Sequence, residues 1–175
     1  MRTTFLLTAT LAAAIAGMAL AGCGNAVDNG MGGTMQSALQ GHTWVSEGAD
    51  VAPLLAGAPF NNVKITATFN ADGTYDVLGI DKDNKMVPYQ GTYTTVPSAI
   101  AGIITIKLMQ SVPQSAVAEG MYQIDTTATP PRMQYEVVQT QPTNGLQPPS
   151  ADKGFGSTIY NGKSISTLIQ KYSRQ

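Results

Sequence analysis

His42 is the only histidine of the chain and Cys23 the only cysteine, which leaves few ways of assembling a reactive centre. A serine or cysteine triad needs a base and an orienting carboxylate, and a zinc site usually needs two or more His or Cys ligands. Neither can be built here in the usual way, and His42, close to Trp44, reads as a capping or surface residue. Asp81 and Asp83 in GIDKDNKM stand two apart, as at the start of a calcium loop. Lys85 breaks that pattern, and the glycine and distal glutamate are missing, so a solvated hairpin turn accounts for it better. KGFGS at 153–157 is too short for a phosphate loop. Asp76, Glu119, Asp125 and Glu136 could supply a carboxylate pair of the glycosidase kind, but nothing in the spacing brings two within reach. The expectation is a protein that is not an enzyme, with no catalytic residue, no metal and no cofactor.

The chemistry that remains is that of Cys23. Met1 to Thr4 carries one positive side chain, and Phe5 to Gly22 is uncharged and rich in Leu and Ala, the layout of a secretory signal. A spanning helix needs roughly 20 apolar residues, and Thr8, Thr10, Gly17 and Gly22 interrupt a run of barely that length, so removal is favoured over an uncleaved anchor. Leu20-Ala21-Gly22-Cys23 resembles the lipobox of bacterial lipoproteins. The resemblance implies a signal peptide over 1–22, a thioether-linked lipid and an acylated amine on Cys23, and membrane lipid as a partner. The alternative is a buried or reactive free thiol. Several acyl chains anchor stably where one holds only marginally. Gly24 follows the cysteine, which by resemblance to enterobacterial lipoproteins favours the outer membrane of a bacterial envelope. Residues 24–38, GNAVDNGMGGTMQSA, lack aromatic side chains and hold one charge, so 23–38 reads as a lipidated flexible tether.

From Leu39 to Gln175 the chain has the size of one domain with a real core. Ten Lys and Arg against 11 Asp and Glu leave no electrostatic footprint for nucleic acid. Apolar residues recur with period two rather than 3.6. Val63, Ile65, Ala67 and Phe69 fall on one face of a strand, against Lys64, Thr66 and Thr68. Asn70-Ala71-Asp72-Gly73 supplies a turn. Tyr89, Gly91 and Tyr93 share a face, as do Ile104, Ile106 and Leu108, and Met133, Tyr135 and Val137 alternate with Arg132, Gln134 and Glu136. Near the end, Ile165, Leu168, Ile169 and Tyr172 stand at helical spacing behind Ser164, but Asn161-Gly162 between extended runs favours a closing hairpin. The class is all-β, mainly antiparallel: an eight- or nine-stranded barrel, with a two-sheet sandwich as the alternative.

Leu39-Gln40-Gly41-His42-Thr43-Trp44, FNADGTY at 69–75, YQGTY at 89–93 and GMYQIDTTATPPRMQYEVVQ at 120–139 together resemble the small bacterial lipocalin-like domains of the calycin type. The chain departs from that pattern in having Gly41 and Trp44 three apart rather than two, and Arg174 is the candidate for the late-strand arginine that packs on the tryptophan. The resemblance implies a barrel over 39–175 that can hold a small apolar or amphipathic ligand. The ligand-lining set read from the inward faces is Phe69, Tyr93, Ile106, Met133 and Tyr135, around a cavity of about 300 Å³ or more. The proline-rich segment 140–154 is expected to close it, and the segment 45–62, with Val51, Leu54, Leu55 and Phe60, to pack across one barrel end. The competing class is a structural or interaction lipoprotein whose barrel is filled by its own side chains.

Overall fold

The computed structural model describes residues 37–175; Cys23, the signal peptide and the tether up to residue 36 lie outside them. The period-two runs form β1 (Thr43–Glu47), β2 (Asn62–Phe69), β3 (Thr74–Asp81), β4 (Met86–Pro97), β5 (Ile104–Val112), β6 (Ala116–Asp125) and β7 (Arg132–Gln141). Three short strands follow, β8 (Leu146–Gln147), β9 (Thr158–Tyr160) and β10 (Lys163–Ile165), and then β11 (Gln170–Arg174). Among the described residues, β1 to β7 and β11 close an eight-stranded antiparallel barrel in which β11 stands between β7 and β1. Closure leaves this sheet without a free edge.

The hairpin between β2 and β3 shows how local sequence sets the register. Gly73 takes φ of +83°, which glycine adopts at no steric cost. The Asp72 carboxylate accepts the Thr74 backbone N–H at 2.9 Å and the Thr74 hydroxyl at 2.6 Å, and these bonds hold its pKa below the ordinary aspartate value. Phe69 consequently faces Tyr75, and Ala67 faces Val77, all inward. Val63 departs from the expected inner face. The register shifts between Asn62 and Lys64, and a bulge of this kind re-aims one side chain; Val63 is 44% exposed.

Asn161 and Gly162 both take positive φ and join β9 to β10 as a hairpin. That hairpin does not close the barrel: β8, β9 and β10 form a separate three-stranded sheet, and β11 is the closing strand. Residues 165–172 contain no helix. What holds this outlying segment is Glu136, whose position on β7 is outward because Tyr135 and Val137 point inward. Its carboxylate accepts the backbone N–H of Gly156 at 2.6 Å and of Thr158 at 3.2 Å, and the Thr158 hydroxyl at 2.5 Å. An acidic residue expected to face solvent is therefore 0% exposed.

One pole of the barrel is sealed. The Trp44 indole N–H donates to Leu39 O at 3.0 Å, Gly41 N to Phe69 O at 2.9 Å and Gln175 N to Thr43 O at 2.9 Å. Phe69, Tyr93, Ile104, Ile106, Tyr122, Ile124 and Met133 fill the interior above this seal. Two of the inward glycines lie hard against the backbone of a neighbouring strand. A Cβ on Gly91 would run into the backbone of Met109 and Gln110, and one on Gly120 into Glu136 O and the Val137 backbone. Glycine at these places lets the strands curl tightly enough to close a small barrel.

Candidate functional site

The other pole is hollow. A cavity of about 260 Å³ opens between β2, β3, β4, β5, β7 and β11, slightly below the roughly 300 Å³ at which small-molecule sites usually begin. Its wall alternates apolar and aromatic side chains: Ile65, Val77, Leu108 and Val137 with Tyr75, Tyr89, Tyr135 and Tyr172. The polar side chains in it are Asn62, Gln110 and Gln170 and the tyrosine hydroxyls, and no charged residue lines it.

The mouth is bordered by Leu55, Phe60 and Leu168. Leu55 belongs to a short helix, α1 (Pro53–Ala56), which Pro53 starts at a position where its missing N–H costs nothing. Leu54 N donates to Thr167 O at 2.9 Å and Ala52 N to the Gln170 side-chain oxygen at 3.1 Å, so α1 is tied to the approach to β11. The segment 45–62 thus packs across a barrel end as expected. The segment 140–154 does not close the cavity. Pro148 and Pro149 lie with Thr94, Lys107 and Glu119, and 156–158 is fastened to outward Glu136; a buried carboxylate needs those donors, and it draws the segment onto the outer wall.

Of the five residues read from the sequence as lining the ligand, Tyr135 is in the cavity wall. Phe69 lies behind it, 6.4 Å in ring-centroid distance from both Tyr75 and Tyr135, and stacks edge-on against Tyr93 at 5.2 Å. Tyr93 spends its hydroxyl on Asn70 O at 2.9 Å. Ile106 and Met133 are 3% and 1% exposed in the filled half. Sequence alternation found the inward face but missed Tyr75, Tyr89, Tyr172 and Gln170; for the last two the available signal was the period-two spacing of Gln170, Tyr172 and Arg174.

Burial raises the pKa of every tyrosine in the wall. Desolvation pushes the Tyr75 hydroxyl up to about 12 and raises Tyr89. Burial, with Tyr172 and Tyr75 adjacent, raises Tyr135 well above the usual phenol value. Tyr172 is raised by burial and partly offset by Gln170. A phenol keeps its proton at neutral pH in any case, so all four are uncharged donors there and the shifts matter only in alkali; Tyr135 meets Tyr172 edge-on with centroids 5.9 Å apart.

The other chemistry-bearing residues are engaged separately. His42 Nε2 lies 3.3 Å from the Arg174 guanidinium. Asp81 accepts the N–H of Asp83 and of Lys85 and so caps its own turn. Asp76 accepts from Gln90, Glu119 pairs with Lys107 at 2.9 Å and Asp125 caps the turn at Thr127. Among the described residues no His, Cys, Asp and Glu side chains group so as to hold a metal ion. No family model, curated protein or solved structure matches this chain.

Proposed function

We propose that this chain is a lipid-anchored bacterial envelope protein, held through Cys23 and placed at the outer membrane, whose barrel binds a small apolar or amphipathic molecule in its hollow half. The observation that carries the reading is the charge-free cavity of about 260 Å³ walled by four tyrosines. Apolar burial supplies roughly 25 cal/mol per Å² of driving force, and phenol rings add apolar area while their hydroxyls can meet a polar group. The leader and the Leu20 to Cys23 motif support the anchoring.

Protein extracted from its own membrane tests both parts. Intact mass should show residues 1–22 gone and acyl mass on Cys23; a full-length chain with a free thiol overturns the anchor. Native mass spectrometry should retain a small molecule that is lost when Val77→Trp fills the cavity in a variant with unchanged circular dichroism. Wild-type protein that never takes up a hydrophobic probe sinks the ligand reading, and the interaction lipoprotein without a ligand then stands.

A further inference from the structure

Two irregular features of paired strands meet in the cavity wall. The bulge in β2 turns Val63 out to solvent, 44% exposed, and brings Asn62 into the wall in its place. An apolar side chain is thereby given to water and an amide to an apolar chamber, the reverse of what burial favours. On the neighbouring strand β3, Gly79 also lines the cavity, and its reason for being glycine is not that of Gly91 or Gly120. Its φ is not in the left-handed region, so its backbone is strand geometry open to any residue. The nearest atoms that a Cβ there would meet belong to side chains, Asn62 Oδ1 at 3.0 Å and Tyr89 Cε2 at 3.8 Å among them, rather than to a neighbouring strand's backbone. Glycine inside a strand weakens it and marks places where a ligand approaches closely, and bulges beside binding sites re-aim a side chain.

We infer that the Asn62 amide, laid across bare Gly79, is the polar recognition point of the cavity, and that it takes the hydroxyl or amide head of a small uncharged amphiphile. This rests on the cavity being a ligand site. The ligand class follows from the chemistry of the wall. A carboxamide carries both an acceptor and two donors, so either orientation of Asn62 serves a head that both donates and accepts. Asn62 stands two residues from Phe60 at the mouth, and Val77, Leu108 and Val137 offer the body of the molecule an apolar wall. No lysine, arginine, aspartate or glutamate lines the cavity, so a carboxylate or ammonium held there would have no counter-ion, an unfavourable state. The missing side chain at Gly79 is what lets the head lie flat against the strand beside the amide.

The test uses the full chain carrying Cys23→Ser, which removes the lipidation site, titrated with 1-octanol, nonane, octanoate and octylammonium. The first two match in heavy atoms and differ in the hydroxyl. Asn62→Leu keeps the volume and removes the hydrogen-bonding groups, and it should lower octanol affinity about tenfold, equivalent to roughly 1.4 kcal/mol, while nonane changes less than twofold. In the NMR spectrum the Asn62 side-chain amide protons should move downfield with octanol and not with nonane. Gly79→Ala should also weaken octanol about tenfold, because the methyl group pushes the amide aside, yet leave the melting temperature unchanged or raised, as replacing a glycine in ordinary backbone does. Octanol and nonane weakened alike by Asn62→Leu, or amide protons blind to octanol, overturn the recognition point while leaving the cavity reading intact. A melting temperature several degrees lower in Gly79→Ala makes that glycine structural and overturns its part, and either ion binding as tightly as octanol overturns the uncharged class. Failure of every probe to bind wild type overturns the cavity reading itself. Should Asn62→Leu not fold, the amide protons of the unsubstituted residue still decide.

Discussion

Trp44 and Arg174 are direct cross-strand partners, on the first and last strands of the barrel. The pairing puts the late arginine opposite the tryptophan, and its guanidinium reaches His42 Nε2 at 3.3 Å. The indole N–H is satisfied by Leu39 O. This seam joins the two termini of the domain and seals one pole. Trp44→Phe should keep most of the buried ring yet orphan the Leu39 carbonyl, lowering stability by about 1–3 kcal/mol. A chemical-denaturation midpoint indistinguishable from wild type refutes that role for the indole N–H.

Gly120 is held between two strands with no room for a methyl group, its first obstacles being backbone atoms of Glu136 and Val137. Backbone cannot rotate aside as a side chain can. Gly120→Ala should therefore cost about 1–3 kcal/mol, the range of an overpacked core, and lower the melting temperature by several degrees. Gly41→Ala is the control for crowding, since open space surrounds that position and its penalty comes from φ of +70° alone.

Glu136 is the pin of the outer segment. Glu136→Ala leaves the Gly156 and Thr158 amides and the Thr158 hydroxyl without their acceptor, at about 1–3 kcal/mol for each donor that stays buried. Opening the segment exposes those groups to water and limits the loss. The expected result is local: hydrogen exchange at Gly156 and Thr158 accelerates strongly, while amides of β5 and β6 are slowed almost as before. Uniform acceleration throughout the domain contradicts the pin.

Alkaline pH should weaken the fold through its phenols. Tyr75 is raised from 10.0 to about 12 by burial, and Tyr89, Tyr93, Tyr122, Tyr135 and Tyr172 are raised as well. Between those values the unfolded chain has released the Tyr75 proton and the native state still holds it. Unfolding then takes the proton off, so stability that is fully present below pH 10 is lost as pH climbs toward 12. Denaturation midpoints should decline across that window together with the appearance of phenolate absorbance at 295 nm; Tyr75→Phe should flatten the decline, and an unaltered slope counts against the assignment.

Much of the barrel is legible in the residues because burial of one sheet face forces period two: Ile104, Ile106 and Leu108 are buried as their spacing demands. The turn at Asn70–Gly73 is equally readable, since Asp72 and Gly73 do there what their side chains favour. Alternation says which side of a strand a residue takes, however, and not how far along the barrel axis it lies. For that reason Phe69, Tyr93, Ile106 and Met133 could be placed inward but not assigned to the filled half, and Tyr75 and Tyr172 could not be assigned to the hollow one. Val63 escaped because a bulge has no mark in the residue types around it. Glu136 escaped for a different reason: an outward acid looks solvated until a distant segment, here 156–158, arrives to cover it.

The position of Leu39 at the sealed pole has a directional consequence. If Cys23 carries the lipid, the domain is leashed by the pole farthest from its mouth. The mouth bordered by Leu55, Phe60 and Leu168 then lies at the opposite end of the barrel from the point where the chain enters it.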